Sequence, residues 1–245
     1  MLFIVPNNDG EAVEIQNILN QNGYNYLVTN QLWGESWECI ENDIKSEIQN
    51  YNDTIYGIEL QGNPITKMCV NIDHHKYYND DRSNPLSSLE QVANIIGVEL
   101  TEYQRAVSDN DKGYIDLMIK NNYNDLIISK VRLQDRRAQG ISECHDYQAD
   151  LAISNAIYYE NLTIVYLDHN KCAAVTDKLH GKYKNLLIIC EKQNELDFYG
   201  DYDICIKLQE LFKGWCGGTH PTGFWGLDNI LNINFIIGRI IEILK

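Results

Sequence analysis

The stretch Met68-Cys-Val-Asn-Ile-Asp-His-His75 places a carboxylate and two imidazoles directly after an apolar segment. Its first five residues predict a short strand, so Asp73, His74 and His75 should follow the carboxyl end of that strand. Open α/β sheets place their sites outside the carboxyl ends of their strands. The stretch therefore predicts a site at a sheet edge. Taken without other residues, the same stretch also fits an alternative in which Asp73 caps a turn and the two histidines lie on the surface.

Strands and helices alternate on both sides of this stretch. Apolar runs predict strands at residues 2–5, 24–28, 54–60 and 67–72. Helical periodicity occurs at residues 11–20, 38–49, 89–96 and 101–107. This alternation predicts the α/β fold class, with an open, mostly parallel sheet covered by helices on both faces.

The pattern changes in the second half of the chain. Further strands are predicted at residues 162–167, 186–190 and 196–199, followed by a helix at 206–212, a glycine-rich loop and a closing helix at 229–244. We therefore expect a first domain over residues 1–118, a helical connector over residues 119–160, and a smaller C-terminal α/β domain over residues 161–245.

Acidic residues occur at three further element ends of the first domain. Asp9-Gly10-Glu11 lies between a strand and a helix, Glu59 ends a strand, and the segment Asp109 to Gly113 ends a helix. Carboxylates and imidazoles gathered together repel one another unless a cation neutralises them, and mixed oxygen and nitrogen ligands suit Mn²⁺, Mg²⁺ or Fe²⁺. A two-metal phosphoesterase site is the resulting prediction. The alternatives are a helix cap at Asp9 and solvated side chains at Glu11 and Glu59.

The charge balance restricts the partners. The 245 residues include 35 acidic and 20 basic side chains, and the net charge of −15 repels a long polyphosphate backbone. We therefore expect a small ligand and no duplex DNA. No apolar window has the length of a membrane span and no basic leader segment opens the chain, so we expect a cytoplasmic protein without a membrane partner. The seven scattered cysteines predict mostly buried thiols rather than disulfides.

The segment Trp215 to Gly226 is rich in glycine and aromatic residues. Four glycines among twelve residues let the backbone approach an anion closely, with a plain turn-rich loop as the alternative. The aromatic side chains either stack on a base or pack the domain. The candidate substrate contacts here are Gly217, Gly218 and His220. On the connector, Arg136 is a candidate forked phosphate ligand, with a surface salt bridge as the alternative.

Three segments of the first domain resemble the DHH phosphoesterase superfamily. They are Asn7-Asn-Asp-Gly-Glu-Ala12, Asn71-Ile-Asp-His-His75 and Ser108-Asp-Asn-Asp-Lys-Gly-Tyr-Ile115. More weakly, Gly217-Gly-Thr-His220 is similar to the glycine-rich signature of the DHH-associated substrate-binding domain. The superfamily includes single-strand exonucleases, nano-RNases, cyclic-dinucleotide phosphodiesterases and manganese pyrophosphatases.

The resemblance implies a metal-dependent hydrolase that cleaves small phosphodiesters or phosphomonoesters. The expected substrate is a nucleotide or a short oligonucleotide. His75 should face the substrate phosphate, and Asp73 should be the second catalytic residue. The second domain should hold the rest of the substrate. One or two Mn²⁺ ions, or Mg²⁺ in their place, should be held by Asp9, Glu11, Glu59, Asp73, His74 and Asp111.

Three positions depart from the pattern of this family. Val5 stands where the family usually has a histidine, and Glu11 and Glu59 stand where it usually has aspartates. Such changes weaken a metal site, so a nucleotide-binding regulatory protein with little or no turnover is the alternative function. Inorganic pyrophosphatase is a third interpretation, which the aromatic late segment disfavours because it suits a nucleobase better than bare phosphate. A homodimer is left open.

Overall fold

The computed structural model describes residues 1–30, 36–77 and 80–245, with the side chain of Thr219 left out. The chain divides into two compact units, Met1–Gly140 and Ile141–Lys245. The boundary falls inside the segment 119–160, which the sequence predicts as one helical connector. One part of that segment therefore belongs to each unit.

The first unit is built on four parallel strands. These are β1 (Leu2–Pro6), β2 (Asn25–Thr29), β3 (Ile55–Ile58) and β4 (Cys69–Ile72). Their order in the sheet is β2-β1-β3-β4. Every residue of β1 is buried, as expected for a central strand of a parallel sheet that is covered on both faces.

Helices cover both faces of this sheet. They are α1 (Gly10–Gln21), α2 (Asn42–Asn50), α3 (Ser88–Ile96), α4 (Glu102–Lys120) and α5 (Asp125–Ala138). Alternate residues of β1 point to opposite faces. Phe3 and Val5 belong to one apolar cluster, whereas Leu2 and Ile4 belong to another that includes Trp37. The two clusters confirm the predicted sheet with helices on both faces.

Helix α4 differs from its predicted form. The sequence predicts a helix over residues 101–107 and a helix end at Gly113, but the structure continues to Lys120. The backbone does break at the expected place, because Gly113 and Tyr114 have non-helical dihedral angles. Asp111 therefore lies in the last turn before a kink, which is where a helix-end carboxylate was expected.

The second unit is a mixed sheet with four helices in its described residues. Its helices are α6 (Glu143–Ser154), α7 (Ala173–Leu179), α8 (Tyr202–Phe212) and α9 (Ile233–Ile243). Its strands are β5 (Ile157–Tyr158), β6 (Thr163–Tyr166), β7 (Leu186–Cys190), β8 (Glu195–Asp201), β9 (Trp215–Thr219) and β10 (Thr222–Asp228). The strand order is β5-β6-β7-β8-β10-β9, with β6 and β7 parallel and the other neighbours antiparallel.

Two elements of this unit correct the sequence prediction. The glycine-rich loop expected over residues 215–226 is a β-hairpin, because β9 and β10 pair in antiparallel register. The helical connector expected over residues 119–160 has its last helix end at Ser154, and Ile157 and Tyr158 pair with β6 instead. Within the described ranges, no helix combines the length and apolar character needed to cross a bilayer.

Candidate metal centre

Three strand ends of the first unit lead to the acidic residues picked out in the sequence. β1 leads to Asp9, β3 to Glu59 and β4 to Asp73. The parallel register pairs Ile58 with Ile72, and the N–H of Glu59 donates to the carbonyl oxygen of Ile72 at 2.8 Å. Residues that come after β3 and β4 therefore emerge side by side at one edge of the sheet.

Four side chains form a compact group at this edge. Glu59, His74, His75 and Asp111 each bring one ligand atom within 4.8 Å of the others. His74 Nε2 lies 2.5 Å from Asp111 Oδ2 and 3.7 Å from Glu59 Oε1. Metal bonds of about 2.1 Å place the ligand atoms of one ion roughly 3–4 Å apart. The 3.7 Å pair fits this range, whereas His74 Nε2 and Asp111 Oδ2 are closer than it and would have to move apart slightly to share one cation.

Three buried polar atoms of this centre lack a hydrogen-bond partner among the described residues. They are His74 Nε2, Asp111 Oδ2 and Glu11 Oε2. His74 Nε2 and Asp111 Oδ2 are close enough for a hydrogen bond but do not have its geometry. Each unpartnered buried group costs about 1–3 kcal/mol. One imidazole and two carboxylates with unmatched lone pairs are a donor set that fits a divalent cation.

The N-terminus of helix α3 holds both glutamates of the centre. Ser88 Oγ donates to Glu59 Oε1 at 2.8 Å, and the N–H of Leu89 donates to Glu11 Oε1 at 3.1 Å. The first N–H groups of a helix carry partial positive charge and attract carboxylates. Glu11 is 3% exposed and Glu59 is 8% exposed, so neither is the solvated side chain that the sequence offers as an alternative.

Glu59 is also held in an unusual backbone conformation. Its φ of 54° lies in the left-handed region, which residues with a side chain seldom occupy. Such strain persists where surrounding contacts over-determine the conformation, and it concentrates at functional sites. The hydrogen bonds to Ser88 and Ile72 supply those contacts at Glu59.

The acidic groups of the centre are strongly perturbed. Burial raises the pKa of Glu11 well above its ordinary value, and the charge of Asp111 raises it further. Burial, followed by Asp111, does the same to the pKa of Glu59. Burial raises the pKa of Asp111 to about 7, with Asp9 adding to the effect. The charged forms of these carboxylates are therefore disfavoured until a cation joins them.

Asp73 holds His75 and the chain around it. Its Oδ1 accepts hydrogen bonds from the backbone N–H groups of His74 and His75, and it lies 3.1 Å from His75 Nδ1. Its Oδ2 accepts from the Tyr77 hydroxyl. Burial opposes ionisation of Asp73, but the hydrogen bonds from His75 outweigh it and lower the pKa. Asp73 thus stands beside the group of four and orients one of its members.

The charge on His75 responds to this arrangement. Burial lowers the pKa of the ring, but the hydrogen bond to Asp73 and the charge of Asp111 raise it more, and the net shift is upward. The neighbouring His74 has the opposite shift, because burial and the adjacent His75 lower its pKa. A neutral His74 suits metal ligation, whereas a protonated His75 suits an anion.

Asp9 caps helix α1 and lies outside the group of four. Its Oδ1 accepts from the N–H of Ala12 at 2.8 Å. Burial raises its pKa, and the charge of Asp135 contributes. The helix-cap alternative from the sequence is therefore present in the structure. The same carboxylate lies close enough to His75 for their charges to interact, so capping does not remove it from the surroundings of the centre.

A buried ion pair that the sequence does not reveal supports the acidic turn. Asp135 Oδ1 accepts from the N–H of Gly10 at 3.0 Å, and Arg132 donates to Asp135 Oδ2 at 2.8 Å. Arg132 also donates to Asn110 Oδ1, next to Asp111. A Cβ at Gly10 would lie 3.0 Å from the Asp135 backbone. Helix α5 therefore connects the turn at Gly10 to the end of α4.

The predicted substrate contacts lie in different units. Arg136 is half-buried on α5 of the first unit, whereas Gly217, Gly218 and His220 lie in or beside the β9–β10 hairpin of the second. His220 is exposed, with its Nε2 3.3 Å from Asp203 Oδ1. Their roles toward a substrate stay predictions.

The hairpin glycines have a packing reason of their own. A Cβ at Gly217 would lie 2.4 Å from the ring of Phe224, and Gly218 has a φ of 95°. Trp225 is fully buried and donates to the carbonyl oxygen of Lys213. This aromatic side chain therefore packs the domain, which is one of the two alternatives given for the segment. Trp215 stays partly exposed at 39%.

Comparison with known proteins gives a likeness of fold. No family model matches the chain, and no curated protein matches its sequence. An exopolyphosphatase-related protein from Bacteroides fragilis superimposes with a TM-score of 0.54 at 16% identity, over 99% of this chain and 91% of that one. The α/β fold is shared.

Two further solved structures superimpose with lower scores. A pGpG-specific phosphodiesterase from Vibrio cholerae gives a TM-score of 0.46 at 10% identity, over 99% of each chain. An uncharacterized protein from Helicobacter pylori gives 0.33 at 11% identity, over 99% of this chain and 98% of that one.

Proposed function

We propose that the first unit is a divalent-metal-dependent phosphoesterase of the DHH superfamily. The observation that carries this proposal is the pair of unpartnered buried atoms, His74 Nε2 and Asp111 Oδ2, 2.5 Å apart at a sheet edge where further carboxylates gather. The motifs around Asp9, Asp73 and Asp111 and the fold shared with an exopolyphosphatase-related protein support it.

The ligands of the proposed ion are His74, Asp111 and Glu59, with Glu11 contributing its unpartnered oxygen. Carboxylate oxygens with one neutral imidazole favour Mn²⁺, with Mg²⁺ as a weaker substitute. Val5 is fully buried among apolar residues of the first unit and offers no ligand atom. The proposal is therefore one site, whose bound ion would polarise a phosphoryl group and lower the pKa of a water molecule.

His75 binds and orients the phosphate in this proposal. Its Nδ1–H donates to ionised Asp73, which sets the tautomer and leaves Nε2 as the atom that carries or releases a proton. The raised pKa of His75 favours the imidazolium, whose charge opposes that of a phosphoryl oxygen. Asp73 acts on the substrate through His75 and is a positioning residue.

The substrate class depends on charge. A net charge of −15 provides no counterion-release energy for a long polyanion, so binding depends on the proposed ion and a few cationic side chains. We therefore propose small phosphoesters, such as nucleotides, cyclic dinucleotides or short oligonucleotides, as substrates.

A regulatory protein that binds a nucleotide without turnover is the second candidate. Buried Val5 favours it, because a position that the resemblance assigns to a metal-binding histidine is apolar here. Both candidate functions use the same metal ligands, so a measurement of substrate turnover distinguishes between them.

The experiment is a screen of phosphomonoesters, phosphodiesters and short oligonucleotides against the metal-stripped full chain, with and without Mn²⁺. We expect Mn²⁺-dependent release of phosphate or nucleotide from at least one class. Asp111→Asn should abolish it, and Asp116→Asn, an exposed carboxylate on the same helix, should not. Mn²⁺ binding without any turnover would favour the regulatory candidate, and turnover unaffected by Asp111→Asn would refute the site.

A further inference from the structure

A second group of potential metal ligands lies inside the second unit. Cys172 immediately precedes α7, Cys190 ends β7, and Asp197 lies in the middle of β8. β7 and β8 are antiparallel, and Ile188 is paired with Asp197. Side chains two residues apart on a strand share a face, so Cys190 lies diagonally across from Asp197 on the same face of the sheet.

The three side chains converge on one point. Cys172 Sγ lies 3.9 Å from Cys190 Sγ and 3.1 Å from Asp197 Oδ2. All three ligand atoms lie within 4.8 Å of one another. Cys190 is fully buried, and Cys172 and Asp197 are each 7% exposed, so the group lies just beneath the surface.

The sulfur–sulfur distance is compatible with a shared metal ion. Tetrahedral zinc with zinc–sulfur bonds of about 2.3 Å puts two thiolate sulfurs about 3.8 Å apart. A disulfide needs about 2.05 Å between the same atoms. The observed 3.9 Å therefore fits two ligands of one ion without a change in the backbone.

The electrostatic surroundings also favour a cation. In the described part of the chain, Asp197 has no ion pair with a basic side chain, and it accepts a hydrogen bond from the Cys172 thiol. The nearby apolar cluster contains Val165, Leu179 and Ile188 together with both cysteines. A carboxylate buried in such surroundings is costly unless it is neutralised.

We propose that Cys172, Cys190 and Asp197 bind a divalent cation that prefers sulfur ligands, such as Zn²⁺. The two thiolates and the carboxylate supply three ligands, and the near-surface position leaves the fourth to water. Ligands from α7, β7 and β8 would tie these elements together, so binding stabilises the fold of the second unit. This inference is independent of the function proposed for the first unit.

Metal titration of the full-length, metal-stripped and reduced chain tests the site. We expect one equivalent of Cd²⁺ or Co²⁺ to produce a thiolate-to-metal charge-transfer band, and Zn²⁺ to displace it. Such a band requires a sulfur ligand, and the described residues of the first-unit centre include no cysteine. Cys190→Ser and Asp197→Asn should weaken or abolish the band.

The matched control is Cys205→Ser, which removes another fully buried thiol of the same unit. It should leave the band intact. Protection of thiols in the unmutated chain provides a test that does not depend on variant folding: Zn²⁺ should slow the reaction of two thiols with a thiol reagent, while exposed Cys39 and Cys144 react freely.

Three results would overturn the site. The first is the absence of any charge-transfer band or thiol protection in the unmutated chain, and the second is an equal band in Cys190→Ser. The third is a disulfide between Cys172 and Cys190, identified by peptide mapping of a chain purified without reductant.

Discussion

His74 Nε2 lies 2.5 Å from Asp111 Oδ2, and neither atom makes a hydrogen bond within the described residues. The two residues come from different elements, because His74 comes after β4 and Asp111 ends the first part of the kinked helix α4. The fold thus holds an imidazole and a carboxylate together without satisfying either. A divalent cation bound by both atoms would satisfy both, once they move apart to the roughly 3–4 Å that ligands of one ion keep.

The first prediction concerns pH. Burial raises the pKa of Asp111 from 3.8 to about 7, so the metal-free folded chain binds more protons than the unfolded chain between those values. Its stability therefore falls as pH rises through this window. A cation competes with the bound proton, so stabilisation by Mn²⁺ should be larger at about pH 8 than at about pH 6.

Thermal unfolding with and without Mn²⁺ across this pH range measures the effect. Asp111→Asn removes the titrating carboxylate and should leave only a small shift with little pH dependence. A Mn²⁺-induced shift in Tm that is equal at both ends of the range would contradict the prediction.

The second prediction separates two roles for Asp73. The sequence predicts a metal ligand, whereas its carboxylate oxygens contact His75, the backbone and Tyr77. Asp73→Asn should therefore retain Mn²⁺ but lower kcat by on the order of 10- to 100-fold, the range for orienting residues. It should also lower the pKa of His75, which moves the alkaline limb of the kcat/KM profile to lower pH.

Asp43→Asn is the control for Asp73→Asn, because Asp43 is an exposed carboxylate in the first turn of α2. Its Mn²⁺ content and pH profile should match those of the unmutated chain. Loss of Mn²⁺ on Asp73→Asn would show that Asp73 is a metal ligand after all.

The third prediction concerns the buried ion pair behind the acidic turn. Arg132 is 6% exposed and bridges Asp135 and Asn110. Arg132→Ala leaves Asp135 buried without its cation, and should lower the free energy of unfolding by about 3–5 kcal/mol. Arg239→Ala breaks an exposed pair with Glu242 and should cost no more than about 1 kcal/mol. Urea unfolding measures both, and equal costs would refute the assigned role.

The fourth prediction concerns substrate length. Because the chain carries an excess of 15 negative charges, each phosphodiester beyond the proposed ion should add little binding energy. Catalytic efficiency in Mn²⁺ should therefore be highest for mononucleotides, cyclic dinucleotides or strands of a few nucleotides. A length series at constant ionic strength tests this. Catalytic efficiency that rises steadily with strand length and falls steeply with added salt would indicate an extended nucleic-acid binding surface and contradict the prediction.

The sequence predicts the sheet of the first unit well because its strands are short apolar runs with chemical groups at their ends. β4 ends at Ile72, so the position of His74 at the sheet edge can be predicted from the pattern alone. The start of helix α3 can be predicted too, because Ser87 and Glu90 form a capping box that marks a helix start. That signal does not by itself indicate Glu11 or Glu59 as its partners.

Other features depend on contacts distant in sequence. Nothing near Asp135 indicates that it accepts a hydrogen bond from Gly10, 125 positions away. The β9–β10 hairpin was missed because its glycines suggest a loop, whereas Gly217 makes room for the Phe224 ring across the pair. Cys172 and Cys190 lie 18 positions apart without a recognised ligand spacing, so only the fold brings them together.

Metal stoichiometry measured together with turnover tests the central claim most directly. The unmutated chain, His74→Ala and the control His180→Ala are each stripped, dialysed against Mn²⁺ and analysed for bound manganese and for phosphoester hydrolysis. The account predicts at least one equivalent of manganese with Mn²⁺-dependent turnover in the unmutated chain and in His180→Ala, and loss of both in His74→Ala. Full manganese content and unchanged turnover in His74→Ala would contradict it.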